Sequence, residues 1–357
     1  MRLGIIGLPN SGKTTIFNAL TNSNLPTGAA TSGQFEVHTA VVSVPDERVD
    51  RLSAMYQPKK TIYTQVTYVD IGGLEKGVAE GGLKGQFRNE LAQLDGMVQV
   101  VRAFADENVP HPYGTVDPQR DLDIIEGEFL LSDLVMIESR LEKIAEEQRR
   151  KGRMLEKATV DEAELLERLK ALLEKDIPLR DVDLSDSEVK MLRGFGLLTL
   201  KPMLIVLNQG DERRDYAIAY DHKHSNIIDL QGKIEAELSQ LEPEDAAIFM
   251  DEYGITELSA AKVVRLSYEL LAYDSFFTVG EDEVRAWRMP TGATAPEAAG
   301  VIHTDLQKGF IRAEVFHYDE LIELGSEAAV KNAGKLRLEG REYVVKDGDI
   351  LHIRHSS

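Results

Sequence analysis

The chain has 357 residues, 43% hydrophobic and 29% charged, a composition typical of globular proteins long enough for two or three domains. Its 61 acidic residues against 41 basic ones argue against a broad surface that coats nucleic acid, so DNA is not an expected partner. The absence of cysteine excludes disulfides and thiol catalysis. No stretch reaches the roughly 18 apolar residues of a membrane span, so we expect a soluble cytoplasmic protein with no membrane partner.

The first predicted element is a phosphate-binding loop. An apolar strand, Leu3 to Ile6, precedes "GLPNSGKT", residues 7–14, which matches the template G-x-x-x-x-G-K-[ST] in full. The helix that follows presents a positive N-terminus, Lys13 can reach the β and γ phosphates, and the Thr14 hydroxyl can hold Mg²⁺. The predicted phosphate-binding residues are Asn10, Ser11, Gly12, Lys13, Thr14 and Thr15. Asn10 is also a candidate ligand of K⁺, although an asparagine that caps the loop explains it equally well.

A second phosphate element is predicted after the strand-like "QVTYV". The run Asp70-Ile71-Gly72-Gly73 fits a D-x-x-G switch, with the Asp70 carboxylate near Mg²⁺ and the Gly73 backbone N–H near the γ phosphate. Leu74 stands where well-known switch proteins have a glutamine that orients the attacking water. Hydrolysis is therefore slow, or another group or a partner positions that water.

A helical insertion interrupts the strand order. About a hundred residues separate the apolar strands Met97–Val101 and Met203–Leu207, far more than an ordinary crossover needs. Apolar residues repeat within it at spacings of four and three, and the stripe resumes after Lys151-Gly152, which predicts an antiparallel helical hairpin. The apolar stripe begins with Leu130, Leu134, Ile137, Leu141 and Ile144. The basic tip is either a solvated surface or a contact for RNA or a partner.

The stretch "VLNQGDE", residues 206–212, resembles the guanine reader Asn-Lys-x-Asp, with Gln209 in place of the lysine. An aspartate at the position of Asp211 accepts two hydrogen bonds from guanine, whereas toward adenine it faces a lone pair. The local chemistry therefore favours GTP.

From Asp274 onward the pattern changes to a strand, a helix, another strand and a final "REYVVKDGDILHIR", in which Asp347-Gly348 predicts a hairpin turn. This indicates a small α+β domain. Because this tail has its own strand and helix order, we expect its deletion to leave nucleotide binding intact.

Together these motifs resemble the YchF-type Obg-like ATPases along nearly the whole chain. The most specific are "GLPNSGKTTIFNAL", "VDIGGLEKG", "EVRAW" and "TAPEAAGVIHTDLQKGFIRAEV". The resemblance implies an α/β fold with a doubly wound P-loop NTPase domain (1–128 and 203–273), an inserted helical domain (129–202) and a C-terminal β-grasp TGS domain (274–357). It implies slow Mg²⁺-dependent hydrolysis, a preference for ATP, and association with the ribosome as a regulator of translation or the stress response, with the large subunit and RNA as candidate contacts. On this resemblance, deletion of the tail from Asp274 should also remove ribosome association.

On the family pattern, Lys13, Thr14 and Asp70 bind phosphate and Mg²⁺, while Asn208, Gln209 and Asp211 lie at the base. Three departures follow from the same comparison. Residues 31–34 replace the segment with the family's switch threonine, Gln99 replaces a histidine proposed to assist hydrolysis, and in "LQGKIEAEL" Lys233 alone matches the Ser-Ala-Lys segment over the base. Gln99 is a candidate for orienting the water. ATP and GTP both stay open.

Two other function classes compete with a switch. A metabolic kinase would need an acceptor pocket and a base near the γ phosphate, and no segment of the sequence predicts either. A non-catalytic scaffold, in which nucleotide orders the helical hairpin against the C-terminal domain, is compatible with Leu74 and Gln99.

Overall fold

The computed structural model describes residues 1–27, 36–72, 83, 85–151, 156–252 and 258–356. The chain forms two compact units: Met1–Val42 with Thr67–Leu270, and Ser43–Val66 with Leu271–Ser357. Within the described residues, none of the helices combines the length and apolar character needed to cross a membrane.

The first unit is built on a six-stranded sheet in the order β2-β4-β1-β5-β6-β7. Pairing is parallel from β4 through β1, β5 and β6 to β7. The strands are β1 (Arg2–Ile6), β2 (Val37–Ser43), β4 (Gln65–Ile71), β5 (Gly96–Ala103), β6 (Met203–Gln209) and β7 (Ser225–Leu230). The central strands β5 and β6 are buried along their whole length, which explains their nearly continuous apolar sequences. The order reverses at β1, so the loop after β1 lies where open α/β sheets bind ligands.

Helices surround this sheet and form the insertion. They are α1 (Lys13–Thr21), α3 (Gly85–Ala92), α4 (Pro118–Lys151), α5 (Lys157–Leu173), α6 (Asp186–Leu192), α7 (Gly232–Leu238), α8 (Pro243–Glu252) and α9 (Ser259–Leu270). The predicted apolar stripe lies on α4, where Ile137 and Ile144 pack against Leu166 and Leu169 of α5. The helical hairpin is therefore present, and its first helix begins at Pro118, before the predicted boundary at residue 129.

Asp133 of α4 anchors the end of the insertion. Its carboxylate is fully buried and accepts hydrogen bonds from the backbone N–H of Leu198 and of Thr199, both at 2.8 Å, and from the Thr199 hydroxyl at 2.7 Å. Burial raises the pKa of Asp133, while these three bonds and the charge of Arg88 oppose that rise. The carboxylate thus connects α4 to the segment that leads into β6.

We expect Asp133→Ala to lower the free energy of unfolding by about 2 kcal/mol or more, because buried N–H donors would lose their acceptor. Urea unfolding followed by circular dichroism measures this change. Asp183→Ala is the matched control, since the Asp183 carboxylate is 96% exposed and bonded to Lys223, and it should change stability little. Equal stability of the two variants would contradict the anchoring role.

The second unit has a mixed six-stranded sheet in the order β11-β10-β12-β8-β9-β3. Its strands are β3 (Lys60–Ile62), β8 (Tyr273–Thr278), β9 (Glu283–Pro290), β10 (Phe310–His317), β11 (Arg337–Glu339) and β12 (Asp349–His355), and its helices are α2 (Glu47–Tyr56), α10 (Ala295–Ile302), α11 (Thr304–Lys308), α12 (Tyr318–Leu324) and α13 (Glu327–Asn332). The predicted hairpin at Asp347-Gly348 is correct for the turn and wrong for the strand pairing. The turn forms, with φ 90° at Gly348, but β12 pairs with β10 and β8 instead of with the residues that precede the turn.

Residues 43–66 fold with the C-terminal residues, whereas the sequence-based boundaries placed them in the nucleotide-binding domain. Strand β3 pairs in parallel with β9, and Val49 and Leu52 of α2 are fully buried beside Phe277 and Phe316. Arg48 donates to Asp46 at 2.9 Å and to Asp347 at 2.6 Å. A strand partner and a hydrophobic core supplied by distant sequence hold this segment.

Candidate nucleotide-binding site

The loop between β1 and α1 has the geometry of an anion site. Helix α1 begins after Gly12, whose φ is 93°, and none of the described side chains caps its N-terminus. A helix start without such a cap, in the positive field of the helix end, is a common binding position for an anion. The Lys13 ammonium lies over this loop, where it donates to the Leu8 carbonyl at 3.0 Å.

Thr14 and Asp70 come together at the ends of α1 and β4. The Thr14 hydroxyl donates to Asp70 Oδ2 at 3.0 Å, and the other carboxylate oxygen is buried with no hydrogen-bond partner in the described part of the chain. Burial raises the pKa of Asp70, and the bond from Thr14 and the charges of Lys13 and His38 oppose that rise. A hydroxyl beside a carboxylate with an unused oxygen is a donor set that suits Mg²⁺.

Asn208, at the end of β6, joins the phosphate loop to the start of α7. Its amide donates to the Ser11 carbonyl at 2.9 Å and accepts from the Gly232 N–H at 3.1 Å. A Cβ on Gly12 would lie 2.1 Å from the Asn208 amide nitrogen, and one on Gly232 would lie 2.7 Å from its oxygen, so both positions need glycine. Asn208 thus has a framework role that the sequence did not predict, and one N–H of its amide is left for a base.

Side-chain amides fix the loop after Asn208. Gln209 is buried and donates to the Arg214 carbonyl and to Asp229, both at 2.9 Å, while it accepts from the Arg214 N–H at 3.2 Å. Both N–H groups of Gln209 are therefore used within the protein, which argues against its predicted contact with the base. Gln231 donates to the backbone carbonyls of Gly210 at 2.9 Å and of Asp211 at 3.1 Å. The Asp211 side chain itself is exposed.

Comparisons with known proteins match both units. A family model described as a 50S ribosome-binding GTPase matches residues 2–121, and the YchF-GTPase C-terminal model, described as a protein of unknown function, matches residues 273–356. The ribosome-binding ATPase YchF of Bacillus subtilis (strain 168) is 38% identical and aligns with 98% of both chains. The YchF protein of Escherichia coli O157:H7 is 37% identical at the same coverage. The chain belongs to the YchF family.

A solved YchF structure agrees with this fold. The Schizosaccharomyces pombe YchF GTPase superposes with a TM-score of 0.85 at 35% identity and covers 99% of this chain and 97% of that one. The predicted fold class, a P-loop NTPase sheet with an inserted helical hairpin and a further C-terminal domain, is confirmed. The chain is thus a P-loop NTPase of the YchF family.

Gln99, the residue predicted to orient a hydrolytic water, is buried in the central sheet. It lies in β5, in register between Ile6 and Ile205, with no solvent exposure. By strand alternation it shares the sheet face of Met97 and Val101, which pack against the core of α3 and α4. Neither atom of its amide has a hydrogen-bond partner among the described residues. This burial argues against the predicted catalytic role of Gln99.

Asn10 adopts φ 59°, and its amide donates to the Pro110 carbonyl at 3.0 Å. This contact supports the loop-capping interpretation. Because it uses the amide nitrogen, it does not test the K⁺ ligand, which would bind the side-chain oxygen. Thr15 lies in the first turn of α1 and is partly exposed, while Ser11 is buried and its hydroxyl has no partner within the described ranges. Gly73, Leu74 and residues 31–34 lie outside the described residues.

The sequence predictions missed one part of this site, the segment "RAF" at the end of β5. The Phe104 ring is partly exposed, and its Cε1 atom lies 4.0 Å from the position that a Cβ on Gly12 would take. An arginine at the end of a strand of the central sheet, two residues before an aromatic residue, was the available signal. Phe104 is an aromatic surface between the phosphate loop and the loop that follows Asn208, which we call the base loop.

Proposed function

We propose that this YchF-family chain is a slow Mg²⁺-dependent nucleoside triphosphatase that acts as a ribosome-associated regulatory switch. The observation that supports it most is the 3.0 Å hydrogen bond from the Thr14 hydroxyl to Asp70, beside a start of α1 that no described side chain caps. Phosphate oxygens would accept from the loop N–H groups and from Lys13. Thr14 and Asp70 would hold Mg²⁺, which supplies charge neutralisation at the β and γ oxygens.

Slow hydrolysis is proposed because neither residue that the sequence suggested for orienting the attacking water offers a usable group. Leu74 is apolar and has no group that could bond a water, and Gln99 is buried in the sheet. Positioning of the water then depends on the Gly73 N–H, on a K⁺ ion near Asn10, or on a partner. The same observations favour a nucleotide-dependent scaffold as the second candidate.

A phosphate-release assay separates these two functions. The protein is incubated with Mg²⁺-ATP in K⁺ or in Na⁺ buffer, each with and without ribosomes. We expect slow release that ribosomes accelerate, and a Thr14→Ala variant that loses it. ATP binding without phosphate release under all four conditions would leave the scaffold as the function.

ATP is the proposed nucleotide. The relatives from B. subtilis and E. coli are named ATPases, whereas the S. pombe protein is named a GTPase. With the Gln209 amide used inside the protein and the Asp211 carboxylate exposed, base recognition need not depend on guanine's donors. GTP is the alternative.

Asp211→Asn tests the base preference. We expect ATP affinity to change little, because an exposed carboxylate that does not read the base contributes little to binding. If Asp211 does read guanine, the variant should lose GTP and gain XTP by tenfold or more, since each 1.4 kcal/mol is a factor of ten. Competition of ATP, GTP and XTP against a fluorescent nucleotide measures all three affinities. Glu212→Gln is the neighbouring control.

Ribosome association is proposed from the relatives, which are named ribosome-binding, and from the family model described as 50S ribosome-binding. The large subunit is the proposed site, with RNA contacts through the C-terminal unit and the helical insertion. Co-sedimentation with separated ribosomal subunits tests this. Pelleting with the small subunit alone would contradict it.

A further inference from the structure

Arg102 forms a buried junction at the end of β5. It is 2% exposed, and its guanidinium donates to three backbone carbonyls: Phe104 at 3.1 Å, Val109 at 2.7 Å and Asn10 at 3.4 Å. These carbonyls belong to the end of β5, to the loop that follows it, and to the phosphate loop. A planar group with five donors in a fixed arrangement can hold three such segments in one geometry, which a lysine cannot do.

The same guanidinium packs on the Phe104 ring, with its central carbon 4.4 Å from the ring centroid. Phe104 lies close to two glycines on either side of the site. Its Cβ is 3.2 Å from the position of a Cβ on Gly210 of the base loop, and its ring edge approaches Gly12 of the phosphate loop. A cation over an aromatic face fixes the orientation of the ring as well as its place.

A second contact joins the same segments. The Asn10 side chain donates to the Pro110 carbonyl, the residue after the Val109 that Arg102 binds. Two hydrogen bonds therefore connect the phosphate loop to residues 104–110 or to the arginine that binds them. Arg102 contacts both the phosphate loop, through the Asn10 carbonyl, and the Phe104 ring. A change at Arg102 alters the Phe104 ring directly and the phosphate loop through one long bond.

We propose that Arg102 is a positioning residue for the nucleotide, which holds the Phe104 ring as a flat apolar surface against the purine. This inference rests on the proposed nucleotide-binding function. Arg102 and Phe104 would then determine how much more tightly the site binds a nucleotide than a polyphosphate without a base. Affinity for the phosphates themselves would come mainly from Lys13 and the loop N–H groups.

The test compares Arg102→Lys with wild type by calorimetry, using ATP and inorganic triphosphate as probes. We expect ATP affinity to fall about tenfold more than triphosphate affinity, the size of one lost base-stacking contact. Arg120→Lys is the matched control. The Arg120 guanidinium also packs over an aromatic ring, Tyr113 at 5.2 Å, and donates to the Thr115 carbonyl at 2.7 Å, and its replacement should leave the ratio unchanged.

Phe104 variants keep the proposal falsifiable if Arg102→Lys folds poorly. Phe104→Leu should reduce the ATP-to-triphosphate affinity ratio by a similar factor, Phe104→Tyr should restore it, and Arg102→Lys added to Phe104→Leu should reduce it little further. Equal losses for both probes in Arg102→Lys, or no loss, would overturn the positioning role. A wild-type protein that binds triphosphate and no nucleotide would refute the proposed function as well, which distinguishes the two failures.

Discussion

Lys13→Ala is expected to abolish measurable triphosphate binding. Lys13 lies in the first turn of α1 and folds back over the phosphate loop, where its ammonium is 3.0 Å from the Leu8 carbonyl. Hydrogen bonds to charged groups contribute about 1.5–3 kcal/mol each, and we expect the ammonium to make more than one with the β and γ phosphates. Affinity should therefore fall by about two orders of magnitude or more.

Calorimetric titration with Mg²⁺-ATP measures this loss, and circular dichroism with urea unfolding shows whether the fold is kept. Lys223→Ala is the control, because the Lys223 ammonium is 51% exposed and bonded to Asp183. It should bind ATP as the wild type does. Unchanged ATP affinity in Lys13→Ala would refute the phosphate-loop assignment.

Deletion of residues from Asp274 onward is expected to disturb residues 43–66 as well, because they fold with the deleted residues. The sequence predicted that this tail could be removed with nucleotide binding intact, but the structure changes that expectation. Residues 43–66 lose β9 as the strand partner of β3, and the fully buried Val49 and Leu52 lose the core around Phe277. Exposure of such side chains costs about 1.5–3 kcal/mol each. Residues 65 and 66 are the first two residues of β4, the strand that carries Asp70.

Limited proteolysis, dye binding and ATP calorimetry test this expectation. The truncated chain should be cleaved within residues 43–66, should bind a hydrophobic dye and should bind ATP more weakly than the full chain. Leu52→Ala in the full chain is the matched variant, and it should lower stability by about 2–5 kcal/mol with the C-terminal residues present. A truncated chain that resists cleavage there and keeps full ATP affinity would contradict the prediction. Loss of ribosome co-sedimentation would then be attributable to the tail alone.

The sequence determined those features that depend on a few consecutive residues. The phosphate loop is predictable because its glycines, Lys13 and Thr14 act through backbone geometry and side chains within a single turn. The helical hairpin is predictable because apolar residues that repeat at helical spacing indicate a helix with one buried face. This holds without knowledge of the surface against which that face packs. Asp70 was located in the same way, at the end of an apolar strand beside a glycine turn.

Only the tertiary structure decided where segments distant in sequence meet. No local pattern in residues 43–66 specifies pairing with β9, since Lys59 and its partner Asp282 are 223 residues apart. The sequence likewise did not determine the roles of Asn208, Gln209 and Gln99. A side-chain amide can bond a base or a backbone carbonyl, or stay without a partner, and the residues packed around it decide which of these occurs. The sequence therefore fixes the kinds of chemical groups at the site. Long-range strand pairing and burial decide which of them, such as Arg102 and Phe104, face one another there.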